Sequence, residues 1–327
     1  MHRRTFLAAL GAGLALPAGA RAQAQAFAAA RAYHDEHGGA ALVILRNGVT
    51  RAEDVRRGGP QAMSPLGGAT TSFLPALAAA LVSDGLLTLD EPAALTLLDW
   101  AAHPVKSRIS LRMLLDRTGG LSGEGRRMSD FEATMLEPVA EPGQGFLDDP
   151  APTQIFTEIA RRKLAGAGAS SDPADYVRLR VLTPVGCAPI SWRRDERNEP
   201  SFHDGASVSV MGWARWGELM RRVGVWRAAQ LVDGAALRDA ARGSWPQPRY
   251  GFGLWLAWPS AQRAPALRSS DLWAAAPPVP QDLIMAAGEN GARLYILPTQ
   301  RIVAARFADQ TGAWSDAAFV SALLSRN

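Results

Sequence analysis

The sequence predicts an α/β (α+β) fold: one antiparallel sheet of about five strands, flanked by N- and C-terminal helices, with a mostly helical lobe inserted between its halves. Three observations predict it. A strand, a tight turn and a return strand lie near the N-terminus, around Asn47-Gly48. Three more strands joined by tight turns fill the far end, between Leu283 and Phe307. The stretch between them, roughly 86–245, is mainly of helical pattern and shows no fixed-period repeat. Strands from both ends share one sheet only if the middle is an insertion, so a ligand cleft is expected where lobe meets sheet.

Each element has a local reason. Ala26 to His37 holds helix formers ending at Gly38-Gly39. Ala40 to Leu45 is uniformly apolar, as a strand covered on both faces must be. Asn47-Gly48 tolerates the positive φ of a two-residue hairpin, and Val49 to Val55 is the return strand. A Gly/Pro-rich loop, Gly58 to Gly68, precedes Phe73 to Val82, which is apolar all round and reads as a buried helix. Pro75 is cheapest in a first helical turn, which favours a start with Ser72 as N-cap. Thr153 to Leu164 and Val210 to Val223 are the clearest helices of the middle. Phe252, Leu254, Leu256 and Trp258 alternate on one face of a strand from Tyr250 to Trp258. Leu283 to Ala287, Ala292 to Leu297 and Ile302 to Phe307 follow, joined at Glu289-Asn290-Gly291 and Pro298-Thr299-Gln300. Ser315 then caps a last helix that runs through Leu324. The sheet lobe is thus expected over about 25–60 and 246–327, and the helical lobe over about 61–245.

Residues 1–22 are set apart as a twin-arginine-type signal peptide. Arg3-Arg4 precede an apolar stretch of about a dozen residues, shorter than the ~20 of a membrane span. Ala20-Arg21-Ala22 is a small-x-small cleavage site. An exported, periplasmic protein of about 305 residues is expected, with no stable membrane insertion after cleavage. Removing the segment lowers Lys+Arg from 35 to 32 against 31 Asp+Glu, a net charge of about +1. Nucleic acid is therefore not an expected partner. Cys187 is the only cysteine, which excludes an internal disulfide and a multi-cysteine metal site. No Gly-x-Ser-x-Gly elbow, phosphate loop or zinc signature occurs, so no cofactor is expected.

Five segments in order resemble the serine β-lactamase and D-alanyl-D-alanine peptidase superfamily, its class C-like branch most closely. Ser72-Phe73 and Leu81 to Pro92 are similar to the buried helix after the family's nucleophile. Ile109 to Leu121 is similar to its "LLTHTSGL" segment, and Glu141 to Phe146 to the turn before its tyrosine motif. Tyr250 to Trp255 is similar to its "YGxGW" strand, and Gly288 to Pro298 to its last hairpin. The resemblance spans nearly the whole mature chain. It implies a β-lactamase/transpeptidase-like fold.

The chemistry that the resemblance implies is missing. The family needs a serine with a lysine three residues on, so that hydroxyl and amine share a helix face. The resemblance puts Gly68 at the serine and Thr71 at the lysine. Independently of any alignment, the only lysines are Lys106 and Lys163, preceded three residues earlier by His103 and Ala160, so no Ser-x-x-Lys exists. Asp148 stands where the second motif has tyrosine, followed by Asp149-Pro150. None of Tyr33, Tyr176, Tyr250 and Tyr295 has asparagine two positions on. Ala286-Ala287-Gly288 stands for the Lys- or His-x-Gly motif, keeping the glycine that lets a substrate approach the strand. Loss of nucleophile or base alone removes about 10⁶ of the rate in a comparable site.

Other chemistry is weighed against plainer roles. Thr70, Thr71 or Ser72 is a candidate relocated nucleophile with Asp148 or Asp149 as base; the plainer role is helix capping. The adjacent aspartates can raise one another's pKa in a shared cleft. His34 and His37 have metal-compatible i, i+3 spacing, though a solvated helix face also explains them. His203-Asp204 is an acid/base pair or a surface turn. The ten tryptophans form a ligand platform or pack the core. The candidate cleft thus holds Thr70, Ser72, Asp149, Ala286, Gly288 and Glu289, beside Gly68, Thr71 and Asp148. The expectation is a catalytically inactive relative of serine hydrolases that binds a cell-wall peptide, another small ligand or a protein partner. An amidase or esterase with a rebuilt site, and a structural partner in an envelope complex, are the alternatives.

Overall fold

A computed structural model describes residues 27–325 except 57, 60, 127, 258–266, 275–278, 290 and 310–312. The expected signal segment, Trp258 and Asn290 lie outside the described residues. The chain begins with α1 (Ala28–Glu36), β1 (Gly39–Arg46), β2 (Val49–Val55), β3 (Met63–Pro65) and α2 (Leu74–Ser83). The middle holds α3 (Leu111–Leu115), α4 (Asp130–Ala133), α5 (Ala151–Gly166), α6 (Pro173–Val177), β4 (Ile190–Trp192) and β5 (Ala206–Ser209). It continues with α7 (Val210–Arg221), β6 (Val225–Trp226), β7 (Ala229–Gln230) and α8 (Gly234–Ala240). The last part holds β8 (Tyr250–Gly251), β9 (Leu254–Leu256), β10 (Ile284–Ala287), β11 (Arg293–Leu297), β12 (Ile302–Ala308) and α9 (Asp316–Leu324).

The main sheet is antiparallel and runs β2-β1-β12-β11-β10-β9-β8. It has seven strands where about five are expected; one of the added strands arises because the run from Tyr250 does not stay extended. Phe252 and Gly253 both take positive φ, 47° and 90°, and fold it into the β8–β9 hairpin. Asn47 and Gly48 make the predicted turn in the same way, at φ 55° and 74°. The central strands are apolar on both faces because both faces are covered. Leu42, Ile44, Tyr295 and Ala304 pack beneath α1 and α9, against Phe319 of α9. Val43, Leu45, Leu294, Ile296, Val303 and Ala305 pack towards α7, α2 and the lobe. Full burial of such a side chain contributes roughly 1.5–3 kcal/mol, so each strand is held from two sides. The Ser315 hydroxyl accepts from the Ala318 amide at 3.0 Å and caps α9 as predicted. Within the lobe, β3-β5-β4 form a small sheet that sequence patterning does not reveal. No described helix is long and apolar enough to cross a membrane.

Candidate functional site

The first and third motif positions, Gly68 and Gly288, meet where the lobe joins the end of β10. Gly67–Phe73 form a 3₁₀ turn that continues into α2. Pro75 lies in the first turn of α2, where its missing N–H costs no hydrogen bond. Ser72 is not the N-cap: Phe73 holds that place and offers no side-chain bond. The three neighbouring hydroxyls are buried and used elsewhere, which corrects the capping role. Thr70 Oγ1 accepts from the Ala206 amide at 3.0 Å. Thr71 Oγ1 shares its proton between the carbonyls of Gly68 (3.0 Å) and Gly253 (2.9 Å). Ser72 Oγ accepts from Trp213 Nε1 at 3.2 Å, and the Ser72 carbonyl accepts from Trp216 Nε1 at 3.0 Å. Trp213 and Trp216 are fully buried, so these two tryptophans pack the core.

Gly68 faces the end of β10. Its amide donates to Glu289 Oε2 at 2.9 Å. A Cβ on Gly68 would stand 3.1 Å from Glu289 Oε1 and 3.9 Å from the Ala287 carbonyl oxygen. A Cβ on Gly67, whose φ is +54°, would meet Glu289 Oε2 at 2.0 Å. On Gly288 it would meet the Leu66 carbonyl oxygen at 1.9 Å. The space that Gly288 was expected to leave for a substrate is thus filled by the chain's own backbone. Ala286 is buried in the inner core layer. Where the motif would carry a nucleophile, this chain holds bare backbone under a carboxylate.

The two aspartates do not work as a pair. Asp148 is exposed and forms an ion pair with Arg117. Asp149 is buried and accepts from the amides of Gly123 (3.1 Å), Gly125 (3.3 Å) and Ala151 (2.8 Å) and from Ser122 Oγ (2.9 Å). Burial alone would raise its pKa, but these donors hold the carboxylate below its usual range. Asp149 is therefore a structural acceptor for the 122–125 loop and α5, not a base. Lys106 pairs with Glu137 at 2.9 Å and Lys163 with Glu91 at 2.6 Å, so neither amine is a spare base.

Sequence reasoning missed two buried groups nearby. Asp116 accepts from the Phe252 amide, and burial, opposed chiefly by Arg112, pushes its carboxyl up to about 7. Burial pushes the Tyr250 phenol up to about 12; its ring packs on Phe146 and Trp255, with the Arg117 guanidinium 5.0 Å above it. No sequence signal marks either, because their burial comes from distant segments.

The remaining candidates resolve as structure. His34 is fully buried and His37 stacks on Tyr33 at 4.0 Å, so the pair does not share a solvated face. Among the described residues no cluster of His, Cys, Asp or Glu fits a metal. A cavity of about 1010 Å³ opens in the lobe, between the 125–132 loop, the start of α5 and residues 193–204. His203 and Asp204 line it. Asp204 Oδ1 accepts from Ser201 Oγ at 2.6 Å, with Arg193 Nη2 at 2.5 Å and His203 Nε2 at 3.1 Å. The Ser201 proton goes to the carboxylate rather than to the imidazole, as in a hydrogen-bonded turn.

An antiparallel sheet covered by terminal helices, with an inserted helical lobe that meets the end of β10, defines a β-lactamase/transpeptidase-like fold. The β-lactamase family model matches residues 22–322, and the chain belongs to that family. No curated protein sequence matches the chain. Among solved structures, it is similar to EstCE1, a hydrolase with promiscuous acyltransferase activity, at 15% identity and TM-score 0.70, covering 94% of this chain and 100% of that one. A penicillin-binding protein homolog from Caulobacter crescentus is 16% identical, with TM-score 0.66 over 91% and 95% of the two chains. A class C β-lactamase in complex with cefoxitin is 14% identical, with TM-score 0.65 over 92% and 98%. At such identities the likeness shows the fold alone.

Proposed function

We propose that this protein is a non-catalytic, exported member of the β-lactamase family that acts by binding a cell-wall peptide, another small ligand or a protein partner. The single observation that carries the reading is Gly68. At the position matching the nucleophile there is no side chain, and the three hydroxyls that follow are buried in hydrogen bonds to the core. An acyl-enzyme needs an exposed nucleophile with a base in reach. A relocated base finds no support either, since Asp149 is saturated with donors and both lysines are paired.

The test is incubation of the mature protein with a fluorescent penicillin and a chromogenic ester, followed by intact-mass spectrometry. The expected result is no adduct and no turnover, with muropeptide fragments raising the melting temperature by mass action. A stoichiometric acyl adduct sinks the reading. The rival, a hydrolase with a rebuilt site, draws on the Ser201–His203–Asp204 cluster at the cavity. Its signature is ester turnover abolished by Ser201→Ala.

A further inference from the structure

We propose that α1 is an acid-released flap: protonation of His34 detaches this one helix from the sheet while the rest of the fold stays closed. Such a device goes beyond the binding role proposed above and stands whether or not the protein is catalytic.

Three features carry it. First, α1 docks chiefly through His34. Only Ala30 and His34 of its nine residues are buried. The His34 ring lies so close over β1 that a Cβ on Gly39 would meet its Nε2 at 2.1 Å.

Second, the docked ring has no place for a positive charge. His34 is fully buried, and among the described residues neither ring nitrogen has a hydrogen-bond partner. The carbonyls of a last helical turn ordinarily favour a cation, but neither nitrogen reaches one. The charges that act on the ring are Arg306, fully buried on β12, and Arg56, just past β2, and both oppose a proton. The carboxylates nearby are committed elsewhere. Asp35 of α1 pairs with Arg56 at 2.6 Å, and Asp316 of α9 pairs with Arg293 at 3.0 Å and accepts from Tyr295 of β11. Asp309, after β12, bonds the Gly38 carbonyl through its amide at 3.0 Å. On α1 itself Arg31 lies one turn earlier, and Tyr33 and His37 stack on one another. Beneath the helix, residues 39–45 of β1 bring no titratable group.

Third, α1 does not outlast its docking. Isolated helices shorter than ~12–15 residues are marginal in water. Here Phe27 at the N-cap offers no side-chain bond, and the first turn holds no acidic residue. Gly38, at φ 68°, ends the helix and is the pivot. Release therefore melts α1 and uncovers Leu42 and Ile44.

Linkage sets the size of the effect. Burial, aided by Arg306 and Arg56, holds the docked imidazole at about 3, and a released one titrates near ~6.5. The proton taken up on release then multiplies the released population by about 30 between pH 7.5 and pH 5.

The experiment is amide hydrogen exchange of the mature protein at pH 7.5 and pH 5, corrected for the intrinsic rate at each pH and read by mass spectrometry. Wild type is compared with His34→Leu and His34→Gln, so that the result does not hang on one variant. In wild type, peptides over 28–36 should lose protection by about 30-fold at pH 5, with β1 and β12 remaining at least about tenfold better protected than α1. Both variants lack the titrating ring and should hold α1 equally at the two pH values. Three results overturn the proposal: unchanged protection of 28–36 in wild type, protection of α1 equal to that of β1 and β12 at pH 5, which marks global opening, or the same acid loss in both variants.

Discussion

At the lobe–sheet junction Thr70, Thr71 and Ser72 are buried and each hydroxyl has a partner. On the opposite face of the sheet His34 and Arg306 are equally buried, yet both His34 ring nitrogens and Arg306 Nε lack a hydrogen-bond partner among the described residues. Unsatisfied or perturbed polar groups usually gather where a protein does chemistry. Here the three hydroxyls that follow Gly68 are all satisfied, whereas orphaned buried atoms lie both under the terminal helices and around the end of α3 and β8, at Asp116 Oδ1, Arg117 Nε and Tyr250 Oη. The contrast marks the three hydroxyls as packing, and His34 and Asp116 as the groups whose protonation acts on stability.

The largest expected effect tests the outer layer. Burial, aided by Arg306 and Arg56, pushes the His34 imidazole down to about 3. An unfolded histidine titrates near ~6.5. Between those values the unfolded chain holds a proton that the fold refuses, so stability present above pH ~6.5 is lost as pH falls, with a ceiling of about 5 kcal/mol. His34→Leu should flatten the acid limb of melting temperature against pH; an unchanged limb breaks the comparison.

Asp116 has the opposite sign. Its carboxyl sits at about 7 in the fold and near ~3.9 when unfolded, so the fold holds the extra proton. Stability then declines as pH rises between those values, by at most about 4 kcal/mol. Asp116→Asn should abolish that decline, measured by thermal unfolding from pH 4 to 8; a decline that persists assigns it to another group.

The junction variants should be insensitive to pH. Gly288→Ala drives a methyl to 1.9 Å from the Leu66 carbonyl oxygen and should cost about 3 kcal/mol. Denaturant midpoints matching wild type would mean that the junction gives way easily. Thr70→Val leaves the Ala206 amide buried without its acceptor and should cost about 2 kcal/mol in the same assay. Gly145→Ala, with nothing within 4 Å of the new methyl, should change stability by less than about 0.5 kcal/mol.

Much of the frame was legible because it is local. Asn47-Gly48, Ser315 and the doubly buried strands announce themselves within a few residues, and Pro75 marks the first turn of α2 correctly. The loss of Ser-x-x-Lys is a statement about sequence and needed no structure. What stayed hidden is non-local. Glu289 meets Gly68 across 221 residues of chain, and Asp149 spends its oxygens on amides 24 and 26 residues away by number. Tyr250 to Trp258 reads as one strand by alternation, because Phe252 gives no warning that it will adopt positive φ. Ser72 reads as a cap because its partner, Trp213, lies 141 residues further on.

The pairing of β1 with β12, Val43 opposite Ala305, has a consequence for biosynthesis. β1 finds its inner neighbour only after the whole lobe has been synthesised. Until then a wholly apolar edge stands open, and such edges recruit other chains. Completion of this sheet thus waits on the chain beyond the lobe, and a polypeptide released before β12 would be left with its central ladder unzipped.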